Sequence, residues 1–358
     1  MHGKITVYHQ IKTYLCNINS RNPIKRDRDM RYSVIIPVYN RPDEADELLQ
    51  SLTRQSFKDF EVIIVEDGSQ IPCEDVVKRY AGRMNVEYFN KENGGPAAAR
   101  NFGAQHAKGE YLIILDSDVV VPQGYLAAID EELAREACDA FGGPDRAAES
   151  FTPVQKAISY SMTSFFTTGG IRGGKKKMDK FYPRSFNMGI RRDVYTALGG
   201  FAAMRFGEDI DFSYRIVESG YKVRLFPDAW VWHKRRTDFR KFFKQVHNSG
   251  IARINLEKRH PGSMKLVHTL PAVFTLGCAA LLAGELFCKW SLVPLALYAL
   301  LVLADCTAHE KSLRVGLLAI AAAFVQLIGY GTGFWIAAFR RYVLKQDEFA
   351  AFSKNFYK

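Results

Sequence analysis

Between Val315 and Phe339 the chain runs through 25 residues without a formal charge. A helix needs about 20 mostly apolar residues to cross the hydrocarbon core of a bilayer, so this stretch is long enough to span one. Val267 to Gly284 is a second uncharged run, apart from His268, and Ser291 to Ala304 is a shorter apolar one of 14 residues. The short run fits a tilted or short span, or a buried or interfacial helix. Gly329, Gly331 and Gly333 predict a kinked or re-entrant path for the longest run. A membrane region of two or three helices is therefore expected over 266–340. Lys258, Arg259 and Lys265 precede it, and Arg340, Arg341 and Lys345 come after it. If both clusters obey the positive-inside tendency, the number of full crossings is even. The expectation is a multi-pass protein of the cell (inner) membrane with its large N-terminal part on the cytosolic face, and with the side taken by a basic tail, 341–358, left open.

The rest of the chain is built to fold. Of 358 residues, 47% are hydrophobic, which suffices for about two domains and excludes a disordered chain. Cys16, Cys73, Cys138, Cys278, Cys288 and Cys306 are scattered with no CxxC pair, and no cleavable signal peptide is read at the start. That usage suits free thiols in a reducing cytosol. A net charge of +11 would serve nucleic acid, anionic lipid or phosphate-bearing substrates alike. No nucleic-acid reader motif accompanies it, so nucleic acid is not an expected partner.

Tyr32 to Val38 (YSVIIPV), Phe60 to Val65 (FEVIIV) and Tyr111 to Leu115 (YLIIL) are β-branched apolar runs of the kind found in parallel strands buried on both faces. RPDEADELLQSLTRQ lies between the first two, and its Pro42 and acidic first turn mark a helix start. Strand, helix, strand at this spacing is a right-handed crossover, which predicts an α/β fold with a doubly wound, mostly parallel sheet. Ligands collect beyond the carboxyl ends of such strands. PVYN, EDGS and DSD occupy those three ends.

After Pro144 the alternation fades. GGIRGGKKKM, Gly169 to Met178, reads as a mobile loop, either a solvated linker or a lid over an anionic ligand. DFRKFFKQVHNSGIARINLEKRH, Asp238 to His260, mixes Phe239, Phe242, Phe243, Val246, Ile251 and Ile254 with many cations, and the segment 237–265 reads as amphipathic, lying on anionic headgroups. A basic N-terminal arm, 1–31, carries Lys4, Lys12, Arg21, Lys25, Arg26, Arg28 and Arg31; it touches the same surface or hangs free.

Four stretches carry chemistry. Asp116 and Asp118 in ILDSDVV are hard oxygen ligands at a strand end, suited to Mg2+ or Mn2+ that takes its remaining ligands from a diphosphate. NGGPAAARN sets a glycine turn before a helix start at Pro96, with Arg100 one turn in; the arginine can fork onto phosphate or merely sit on the surface. AWVWHKRR places His233 after a strand, where it can complete a metal site with two aspartates. FGEDIDFSYRI packs Glu208, Asp209 and Asp211 into one first helical turn, as caps, ligands or a base.

In this order, PVYN, EDGS, NGGPAAARN, GEYLIILDSD, FNMGIRRDVYTALGGF, GEDIDFSYR and WVWH resemble the family 2 glycosyltransferases, inverting enzymes of the GT-A fold, over about Arg31 to His233. The helix and apolar spans beyond His233 resemble those of the membrane-associated members. The resemblance implies a GT-A catalytic domain over 32–236, with a Rossmann-like nucleotide-sugar half, 32–144, and an acceptor half, 145–236. It implies that Pro37 and Tyr39 flank the nucleotide base, that Asp67 binds base or ribose, that Arg100 sits near the nucleotide and Asp116 near ribose and sugar. Asp118 would ligate a divalent metal, Mg2+ or Mn2+, with Asp116 and His233. Asp209 matches the general base, and Glu208 beside it would orient the acceptor or hold the loop. The implied reaction is a single, metal-dependent, inverting transfer from a nucleotide-diphosphate sugar to a hydroxyl of a lipid-linked or cell-envelope glycan acceptor.

Two departures matter. Glu66 stands where the family often has aspartate, and Gln245 opens QVHN where processive synthases carry QxxRW. A processive polysaccharide synthase is thus the second choice. A sugar nucleotidyltransferase would want an N-terminal glycine-rich phosphate loop, and a catalytically dead scaffold would not need Asp116, Asp118 and Asp209 intact.

Overall fold

The computed structural model describes residues 30–146, 151–169 and 181–347. The readings of the basic arm before residue 30, of GGIRGGKKKM beyond Gly169 and of the tail after residue 347 lie outside these residues. In chain order the first elements are β1 (Tyr32–Val38), α1 (Pro42–Thr53), β2 (Phe60–Asp67), α2 (Glu74–Lys78), β3 (Val86–Lys91), α3 (Pro96–His106) and β4 (Tyr111–Leu115). They are followed by β5 (Val119–Val120), α4 (Tyr125–Arg135), β6 (Ala140–Gly142), β7 (Asp145–Arg146), α5 (Pro153–Thr163) and α6 (Phe165–Thr168). Next come β8 (Asn187–Arg191), α7 (Arg192–Ala197), α8 (Glu208–Glu218), β9 (Val223–Leu225) and β10 (Val231–His233). Long helices close the chain: α9 (Phe239–Arg259), α10 (Leu266–Gly284), α11 (Val293–Glu310) and α12 (Leu313–Ala338), the last continued by a π-helical turn, Phe339–Val343.

The main sheet has the order β3-β2-β1-β4-β8-β6-β9. Strands β3, β2, β1 and β4 run parallel, β8 is antiparallel to both β4 and β6, and β6 is parallel to β9. Every residue of β2 and β4 is buried, as the unbroken apolar runs predict for strands covered on two sides. Leu48, Leu49 and Leu52 of α1 join Tyr125, Leu126 and Ile129 of α4 over one face; Ala97 and Ala99 of α3 join Phe212 and Ile216 of α8 over the other. Each of these larger apolar side chains contributes roughly 1.5–3 kcal/mol by leaving water. The strand β2 extends two residues past its predicted end, so Glu66 and Asp67 of EDGS are strand residues with buried side chains. A small second sheet, β5-β10-β7, lies at the carboxyl end of β4.

The C-terminal helices correct two expectations. By length and composition α10, α11 and the α12 segment can each cross a membrane. The α12 segment, however, is one continuous helix through all three glycines. Their missing side chains admit neighbours instead of a kink: a Cβ on Gly333 would stand 2.0 Å from the His247 carbonyl oxygen of α9, and one on Gly331 would stand 2.5 Å from that of Pro271 in α10. From the other side, a Cβ on Gly250 would meet the Tyr330 carbonyl oxygen at 2.1 Å. The second correction concerns α9, expected to lie on headgroups. Its apolar stripe is covered by protein: Phe242 and Val246 pack with Ala319, Ala322 and Ala323, and Ile251 and Ile254 pack with Phe334 and Ala337 of α12. Tyr160 of α5 ties the same bundle together by donating to Asp305 of α11 at 2.5 Å.

Candidate active site

Asp116 and Asp118 leave the end of β4, a central strand, and the β10–β5 ladder sets His233 opposite Val119. A ligand atom from each of these three side chains lies within 4.8 Å of the other two. Phe186 stacks on the His233 ring, with centroids 4.9 Å apart, and fixes its plane. His233 Nε2 stands 3.2 Å from Asp118 Oδ1, so the imidazole and the carboxylate already converge on one point, and His233 Nδ1 is buried without a hydrogen-bond partner among the described residues. Two hard oxygens with an imidazole nitrogen fit Mn2+ or Mg2+. Arg41 and Arg236 approach the other Asp118 oxygen at 3.2 and 3.5 Å. Burial would raise the Asp118 carboxyl, but His233, Arg236 and Arg41 outweigh it and hold it far below the ordinary carboxylate range.

From this cluster an alternating series of charges leads to α8. Arg100 is 4% exposed and forks onto two acids, Asp116 at 2.7 Å and Glu208 at 3.0 Å, with its guanidinium over the Phe201 ring. Next to Glu208, Asp209 accepts from Arg184 Nε at 2.6 Å and from the Ile210 N–H at 2.9 Å. Burial raises Glu208 above its ordinary value, with Arg100 opposing. For Asp209 burial also acts upward, but Arg184, Arg100 and the Ile210 N–H reverse it, so this carboxyl titrates below its ordinary value. Two adjacent acids are thus driven apart by which arginine each meets. Gly207 caps α8 at φ +84°, and a Cβ there would press on Ala252 of α9 at 3.0 Å. A side chain at this position would be strained in itself and would lever the acidic turn away from α9.

Asp116, Asp118, His233 and Asp209 share one cleft with Arg184, Phe186, Lys234, Arg235, Arg236 and Gln245. It takes in about 550 Å³, counting space open to solvent. The wall pairs an acidic cluster with four formal cations, a combination suited to a metal-bound polyanion.

The sequence model described as Glycosyl transferase family 2 matches residues 33–199. This part of the chain belongs to glycosyltransferase family 2. It is 42% identical over 91 residues to an uncharacterised glycosyltransferase of Rickettsia bellii, covering 25% of this chain and 13% of that protein. It is 30% identical over 240 residues to the pre-mycofactocin glycosyltransferase of Mycobacterium tuberculosis, covering 64% of this chain and 48% of that one. The chain thus spans under half the length of these curated relatives. A mannosyltransferase of Pyrobaculum calidifontis, solved in complex with GDP-Man and Mn2+, shares the fold at a TM-score of 0.59 and 20% identity, over 89% of this chain and 94% of that one. The family 2 domain therefore has the mixed, mostly parallel α/β sheet of the GT-A type.

Several residues of the family 2 domain stand elsewhere than expected. Asp67 does not face the cleft. Its two oxygens accept from Lys91 Nζ at 2.8 Å and from the N–H groups of Gly94 and Gly95 at 2.9 and 2.7 Å, so it shapes the NGG turn. Arg100 turns its two terminal nitrogens to Glu208 and Asp116, and Glu208, unlike Asp209, does not line the cleft. Pro37 is the next-to-last residue of β1 and Tyr39 follows its end, one strand over from Asp116; Asn40 fastens this turn to the loop after β2 by accepting from the Gln70 and Ile71 N–H groups. Asp211, in turn, pairs with Arg215 at 2.9 Å and His260 at 3.1 Å, tying α8 to the end of α9. Sequence reasoning did not single out Arg184, Arg41 or Phe186; Arg41 opens RPDEADELLQSLTRQ and Phe186 opens FNMGIRRDVYTALGGF, but Arg184 lies in no motif. Gln245, noted only as a broken QxxRW, does line the cleft.

Proposed function

We propose that this chain is an inverting, metal-dependent glycosyltransferase that moves one sugar from a nucleoside-diphosphate sugar to a hydroxyl of a lipid-linked or cell-envelope glycan acceptor, at a membrane crossed by the C-terminal helices. One observation carries the reading: a carboxylate at the start of α8, Asp209, shares a cleft with the Asp116, Asp118 and His233 cluster. In this reading Asp209 accepts the proton of the acceptor hydroxyl while the acceptor's oxygen forms a bond to the anomeric carbon. The bond from that carbon to the phosphate oxygen breaks on the opposite face, its electron pair leaves with the nucleoside diphosphate, and the configuration inverts. Asp209 is a weak base, which suffices when proton transfer is late. Asp116, Asp118 and His233 would hold Mg2+ or Mn2+, which supplies positive charge to the departing diphosphate. Arg41, Lys234 and Arg236 add fixed donors at the same end of the cleft. Pro37 and Tyr39 flank the nucleotide base, Asp116 meets ribose and sugar, Glu208 and Arg100 hold the acidic turn, and Asp67 acts through the NGG turn.

The test is hydrolysis and binding of a panel of UDP- and GDP-linked sugars by the purified full-length protein in detergent, with and without Mn2+. At least one donor is expected to bind and to be hydrolysed only with metal. Asp118→Ala is expected to lose metal-dependent binding of the matching nucleoside diphosphate by calorimetry. A protein that binds no nucleotide sugar would sink the reading.

A further inference from the structure

Arg184 carries an inference beyond that reaction. Its backbone is fixed: the Asn187 N–H donates to the Arg184 carbonyl at 3.0 Å, and Ser213 Oγ donates to the neighbouring Pro183 carbonyl. Its side chain is not. Nε donates to Asp209 at 2.6 Å, the side chain is 37% exposed on the cleft wall, and its terminal nitrogens have no hydrogen-bond partner among the described residues. The charged groups around Asp209 are Arg184, the adjacent Glu208, Arg100 behind it and Asp116 in the same cleft. A carboxylate held by a charge-assisted bond is a poor proton acceptor, because taking the proton forfeits that bond. As found, the base is therefore masked, and only a side-chain rotation is needed to unmask it. The side chain already lines the cleft, and a guanidinium fork can take two phosphate oxygens at once.

We propose that Arg184 is a guard on the base: a phosphate group of the incoming substrate draws its guanidinium off Asp209, which becomes able to accept a proton only when substrate is in place. The inference rests on Asp209 being the base. The phosphate comes either from the donor's diphosphate or from a phosphate on the acceptor, and the experiment separates the two. Donor hydrolysis, with water as acceptor, is followed against pH for wild type and Arg184→Gln, using whichever UDP- or GDP-linked sugar the wild type hydrolyses. The acid limb of kcat/KM reports the free protein, and that of kcat reports the bound complex. The guanidinium depresses the Asp209 carboxyl only while it stays in place, so R184Q is expected to move the kcat/KM limb to higher pH and leave the kcat limb where wild type has it. Coincident kcat limbs with donor alone assign the release to the diphosphate; coincidence only after adding inorganic phosphate assigns it to an acceptor phosphate. Limbs that shift together in both arms would mean a permanent ion pair, and limbs that do not shift at all would mean no role; either overturns the guard. Arg184→Met removes the same cation from a long side chain and gives the same comparison should R184Q fail to fold. Absence of wild-type hydrolysis would instead count against the reading of the reaction.

Discussion

Asp209 and Glu208 are neighbours in sequence and buried alike, yet only Asp209 lines the cleft and only Glu208 is held by Arg100. Asp209→Asn keeps the volume and removes the basic oxygen, so transfer is expected to fall by about 10²–10⁴-fold, the usual worth of a general base, while metal-dependent nucleoside diphosphate binding stays within a few-fold of wild type. Steady-state rates beside calorimetry check this, and near-normal turnover would remove Asp209 from the role. Much of this site was legible in the chain. The DSD aspartates and His233 were readable as one donor set because a strand end and a strand-following histidine are local signals. Arg184 was not, because KFYPRSFN has no periodicity or spacing that reveals what it meets; its partner lies 25 positions away on α8. Asp67 was readable at a strand end, but its bonds to Lys91 and the NGG turn were not, since an acid's hydrogen-bond partners depend on how the next turn folds back.

At the scale of elements, β1, β2 and β4 could be read to within a residue or two because strands buried on both faces are nearly continuous in β-branched residues. The short strands β6, β8 and β9 have no such run, and their pairing is set by the sheet edge they complete. The glycines of α12 misled for a related reason. A glycine in a helix reads as a weak point from sequence, whereas here Gly331 and Gly333 are contact surfaces for another backbone and Gly329 for the side chains of Val246 and Phe243. Gly250→Val should show this directly. It would force a side chain into the Tyr330 carbonyl, at an overpacking cost of roughly 1–3 kcal/mol, and displace the turn of α9 that carries Gln245. A lowered unfolding temperature in detergent, together with weaker nucleotide binding, is the expected result; unchanged values for both would mean the seam is not needed.

For the molecule as a whole, the family 2 domain and the apolar helices are joined by packing as well as by chain. A fragment ending at residue 265 keeps α9 but loses α12, baring Phe242, Val246, Ile251 and Ile254; a fragment ending at 236 loses both partners of the seam. The longer fragment is therefore expected to aggregate or stay with membranes, and the shorter one to be the more soluble, as fractionation after expression would show. Equal solubility of the two would mean that α9 finds other cover. The seam also sets an order in time. Synthesis runs from the N-terminus, so α9 emerges before α12 exists to receive it, and the wall of the cleft that carries Gln245 is completed only when the last long helix has docked. A ribosome would thus expose most of the family 2 domain folded while the cleft is still unfinished, and competence would wait on the docking of α12.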